Sequence, residues 1–99
     1  MLAVGEASPA AWPVLQRRVD AFMAIDDEPA LRTVERLNAP EAGREALNIG
    51  LTGAASLAGA MELARRQHVA AMLGMNESSR VLAFGTEAGR PTVDVARNA

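Results

Sequence analysis

The sequence predicts an α/β domain with a three-layer α-β-α arrangement around a short, mostly parallel four-stranded sheet. Three observations predict it. Four short apolar runs, at residues 1–4, 21–25, 46–50 and 80–85, alternate with longer stretches of helical periodicity. Each run ends on turn or capping residues, in "VGEAS", "IDDE", "IGLTG" and "FGTEAG". The resulting order, β-α-β-α-β-α-β, favours parallel strands joined by right-handed crossover helices on both faces of a sheet.

The first run stops at Gly5, and Ser8-Pro9 then offers an N-cap followed by a proline at the first helical position. Trp12, Leu15 and Val19 give the first helix one apolar face, with Arg17 and Arg18 off it. "AFMAI", residues 21–25, is continuously apolar, the pattern of a strand covered on both sides. Asp26 and Asp27 cap a second helix, with Pro29 in its first turn and Leu31, Val34 and Leu37 on its apolar face. "NAPEAGRE" breaks that pattern, and "ALNIG" is the third strand. Thr52 caps a third helix rich in Ala and Gly, with Glu62 and Arg66 as an i, i+4 pair. Helical character continues or restarts through "HVAAML" to a stop at Gly74, "NESS" forms a turn, and "RVLAFG" is the fourth strand.

Ninety-nine residues suffice for one domain, expected over residues 1–87, with 88–99 as loop and tail. With 49% hydrophobic residues, 22% charged residues and a net charge of -2, the chain reads as a soluble globular protein. All ten cationic residues are arginines, scattered or in pairs, and only three aromatics accompany them, so no nucleic-acid surface is expected. There is no cysteine, which excludes disulfides and thiolate chemistry. Neither a basic, apolar leader nor eighteen consecutive apolar residues occur, so a cytoplasmic protein without a membrane partner is expected.

Ligands of parallel α/β sheets bind beyond the carboxyl ends of the strands. "GLTG" (50–53) and "GTEAG" (85–89) are therefore expected to open on one edge. The first aims backbone N–H groups and a helix dipole at one point, which suits an anionic group, although by itself it is a weak signal that a tight turn with a cap explains better. His68 has no triad partners, and helix capping accounts for Asp26, Asp27 and Glu28, so neither a metal site nor a catalytic residue is expected. The methionines at 23, 61, 72 and 75 read as core filler.

Three blocks, "GEASPAAWPVLQRRVDAFMAIDDEPALRTVERL", "GLTGAASLAGAMELA" and "LGMNESSRVLAFGTEAG", together resemble the C-terminal part of diaminopropionate ammonia-lyase. That enzyme belongs to the fold type II, tryptophan synthase β-like group of pyridoxal-phosphate enzymes, and the resemblance covers nearly the whole chain. It implies that Gly50, Thr52 and Gly53 line the cofactor ring and that Thr86 faces the pyridine nitrogen. A neutral hydroxyl there leaves the nitrogen unprotonated and favours β-elimination. Leu51 stands where the family has a carboxylate, and Ala88 interrupts its Thr-Glu-Gly run.

The chain contains no lysine, so it owns no Schiff-base anchor and is expected to bind no pyridoxal phosphate alone. The resemblance thus implies a fragment, a truncated product or one piece of a split enzyme, inactive by itself. Completed by a lysine-bearing chain, it would eliminate ammonia from a small amino acid such as 2,3-diaminopropionate, giving pyruvate. The alternative is a non-catalytic interaction protein on the same scaffold. Both readings expect a homo-oligomer or a complementary chain, because a cut sheet exposes apolar surface and open edges.

Overall fold

The computed structural model describes residues 5–89. These form four helices in chain order: α1 (Trp12–Arg18), α2 (Asp27–Asn38), α3 (Leu51–Arg65) and α4 (Gln67–Met72). The expected three-layer α-β-α fold with a four-stranded parallel sheet is not what the chain adopts. Among the described residues there is no sheet, only two isolated antiparallel bridges, Glu41 with Arg44 and Ile49 with Ala88. The first expected strand, residues 1–4, lies outside the described residues, as do residues 90–99 of the expected tail.

The reason lies in how the helices find cover. A sheet layer requires helices on opposite faces, yet α2 and α3 pack on each other. Their contact is built from small side chains, with Ala30, Ala54 and Ala58 fully buried and Thr33 nearly so. No large side chain is fully buried among the described residues. Residues 21–26 and 79–87 run on without helix, turn or bend, leaving Phe22 68%, Leu82 78% and Phe84 72% exposed. An apolar run specifies strand-forming chemistry, but a strand exists only beside a partner.

The helices follow local signals closely. Ser8 is not the N-cap expected: its hydroxyl accepts the Ala11 N–H one turn ahead of α1, which begins at Trp12 instead of Pro9, with Pro13 in its first turn. In α2, Asp27 and Glu28 sit at the positive end of the helix dipole, and Glu28 pairs with Arg32. Its packed face is Ala30, Thr33, Val34 and Leu37; Leu31 is half exposed. The Thr33 hydroxyl donates back to the Pro29 carbonyl, so the one buried polar side chain in that contact is satisfied. The expected Glu62–Arg66 pair forms instead between Glu62 and Arg65, at 3.0 Å, because the helix ends at Arg65 and Arg66 leaves helical geometry. Gly74, at φ +74°, terminates α4 as expected. Its N–H reaches the Ala71 carbonyl and that of Met75 reaches Ala70, the paired bonds of a Schellman stop. "NESS" then turns the chain, with the Asn76 side chain accepting the Ser78 N–H at 2.8 Å.

The connection from α2 to α3 is organised by one arginine. Residues 41–44 close a tight turn around Gly43 at φ +79°, which brings Arg44 under the carboxyl end of α2. Its guanidinium donates to the carbonyls of Arg36, Leu37, Ala39 and Glu45 at 2.9 to 3.1 Å. A planar fork serves several carbonyls at once where an ammonium cannot, and a cation here also opposes the negative end of the helix dipole. Arg44→Lys is therefore expected to lower stability by about 1–2 kcal/mol. Urea denaturation checks this, and a midpoint equal to the parent's would show that the grouping carries no net weight.

Among the described residues the apolar side chains are poorly covered, with Met72 82% and Val81 57% exposed.

Candidate functional site

The turns "GLTG" and "GTEAG" meet in space, although no sheet edge brings them there. Asn38, the last residue of α2, reaches Ile49 with both halves of its amide: Nδ2 donates to the Ile49 carbonyl and Oδ1 accepts the Ile49 N–H, each at 3.0 Å. The side chain thus imitates a neighbouring strand for one residue. On the other side, the Gly50 N–H donates to the Glu87 carbonyl and the Gly89 N–H to the Asn48 carbonyl, flanking the bridge between Ile49 and Ala88. Ile49 is held between a helix terminus and the segment that contains Thr86.

Gly50 is the N-cap of α3, and Thr52 and Gly53 lie in its first turn, so Thr52 is not the capping residue. Capping comes from across the chain: the Glu87 carboxylate accepts the Thr52 N–H at 3.0 Å. A carboxylate at this position satisfies an orphan donor and complements the dipole. Glycine is what permits the approach. A Cβ on Gly53 would stand 2.6 Å from the Glu87 carbonyl oxygen and 2.9 Å from Ile49 Cγ1, and one on Gly85 would stand 2.9 Å from the Gly53 carbonyl oxygen.

Of the four residues implied to contact a cofactor ring, Gly50, Thr52 and Gly53 are therefore together, and Thr86 is the exposed neighbour of the residue that touches them. Glu87, like Asn38, is not singled out by sequence. Its signal was an acidic side chain in a glycine turn opposite a helix start, a pairing visible only once the two turns are known to meet. An open cleft of about 1010 Å³ adjoins the site, lined by Val34, Asn38, Leu47, Ile49 and Glu87 among others.

The residues present do not fit pyridoxal phosphate. The space over Gly50 and Gly53 is filled by Glu87 and Ile49, the positive end of α3 already faces a carboxylate, and the chain has no lysine. A second anion at α3 would have to displace Glu87. Among the described residues no group of three or more His, Asp or Glu side chains converges on one point, and no helix is long and apolar enough to cross a membrane. Comparison with family models, with curated protein sequences and with solved structures returns no match to this chain.

Proposed function

We propose that this chain acts as a non-autonomous structural unit whose role is to assemble, with copies of itself or with a complementary chain, and that it has no catalytic activity alone. The apolar side chains that the described residues leave in the open carry this reading, because such a surface calls for a partner. Val81, Leu82, Phe84, Phe22 and Met72 are all more than half exposed.

The three sequence blocks favour one identity for a complementary chain. They support a C-terminal piece of a cytoplasmic pyridoxal-phosphate ammonia-lyase, completed by a partner that brings the Schiff-base lysine and the phosphate loop. The assembled pair would catalyse α,β-elimination from an amino acid such as 2,3-diaminopropionate. Within it, Glu87 must leave the start of α3 for Gly50, Thr52, Gly53 and Thr86 to face a ring.

The test is a titration of the purified chain with pyridoxal phosphate, followed by borohydride reduction and mass spectrometry. No stoichiometric adduct and no aldimine absorbance are expected. A single specific reduced adduct would overturn the claim that the chain is inactive by itself.

A further inference from the structure

We infer that the chain dimerises by reciprocal strand addition, Ala21–Ile25 of one copy pairing antiparallel with Val81–Gly85 of a second copy. The inference rests on the self-association reading above and names its surface.

Both runs are open chain carrying apolar side chains, and both lie along α3. The Met23 methyl sits 3.4 Å from where a Gly59 Cβ would be, and the Ser56 hydroxyl donates to the Phe84 carbonyl at 2.7 Å. That bond is the only one either run makes among the described residues; no backbone hydrogen bond joins the two runs or ties them to a neighbour. Unpaired backbone groups beside an apolar surface call for a partner that brings both apolar side chains and its own N–H and C=O groups. An extended strand does both. A groove of about 550 Å³ floored by Ala55, Gly59, Ala60 and Leu63 runs beside residues 21–25.

Charge selects the occupant. Ala21–Ile25 is bracketed by Asp20 and Asp26, so a copy of itself laid antiparallel would place aspartate against aspartate. Val81–Gly85 is preceded by Arg80. Asp20 lies at a bend, whereas Asp26 continues the unbent run, so Asp26 is the aspartate able to stand opposite Arg80 in a ladder. That choice sets the register: Ile25 opposite Val81, Ala24 opposite Leu82, Met23 opposite Ala83 and Phe22 opposite Phe84. It is also consistent with the faces. Exposed Phe22 and Ala24 meet exposed Phe84 and Leu82, while the pairs Ile25 with Val81 and Met23 with Ala83 each join one half-buried and one exposed residue. A two-fold axis repeats the pairing, giving a closed dimer.

The chain has no cysteine, so single cysteines report pairing without background. Light scattering of the parent chain is expected to give a dimer, and Ala24→Pro, which removes an N–H from the ladder at an exposed site, to weaken it at least tenfold. Mixed under mild oxidant, Ala24→Cys and Leu82→Cys chains are expected to form the mixed disulfide in preference to either homodimer. A parent monomer would overturn both this inference and the self-association reading. A dimer that tolerates Ala24→Pro, or that cross-links Ala24→Cys to itself, would overturn only the pairing proposed here.

Discussion

Replacing Gly53 by alanine is expected to lower the unfolding free energy by about 1–3 kcal/mol, despite the better helix propensity of alanine. The added methyl would lie 2.6 Å from the Glu87 carbonyl oxygen and 2.9 Å from Ile49. The first of these is backbone, so relief requires the whole 85–89 segment to move off α3, taking the Glu87 cap with it. Urea denaturation followed through Trp12 fluorescence gives the magnitude. Gly59→Ala is the matched control: its Cβ meets only the end of the flexible Met23 side chain at 3.4 Å, so the substitution should stabilise by up to about 1 kcal/mol. If the two alanines behave alike, close approach at the start of α3 is not what Gly53 provides.

Asn38→Asp should be nearly as damaging, at about 1–3 kcal/mol, although it alters one atom. The amide both gives a hydrogen bond to Ile49 and takes one from it. A carboxylate can only take, so the Ile49 carbonyl would lose its donor and face a second acceptor. The new charge would also sit at the negative end of α2. Thermal unfolding at neutral pH, compared with Asn38→Ala, separates these effects: the aspartate should be the less stable of the two. An aspartate as stable as the parent would show that the clamp does not hold the α2–α3 connection.

These two sites also show what could be read from the chain before its structure. Features with local causes were legible: the start of α2 at Asp26 and Asp27, although the Asp26 side chain makes no capping bond, Gly74 ending α4 through a left-handed residue, and "NESS" turning the chain. The sheet was misread because "AFMAI" and "RVLAFG" carry strand composition but no information about a neighbour, and the cover assumed on both faces is absent. The packed face of α2 was displaced by one residue for a related reason: Leu31 fits an apolar stripe, but close contact with α3 selects the smaller Ala30. The meeting of "GLTG" with "GTEAG" followed from strand-end geometry in the sequence reading, whereas the structure achieves it through the Asn38 clamp and the Glu87 cap. Asn38, Arg44 and Glu87 act on carbonyls or amides distant in sequence, and nothing in their immediate neighbours marks them.

The cap on α3 spans 35 residues, from Thr52 to Glu87, and few other bonds close that interval. Closing so long a loop costs chain entropy, which those bonds and the tight fit at Gly53 offset. Opening it would release the Gly50 and Gly89 bonds and the Glu87 cap together, while the α2–α3 contact could persist. The described residues thus form a hairpin of two packed helices with a latch across the start of the second.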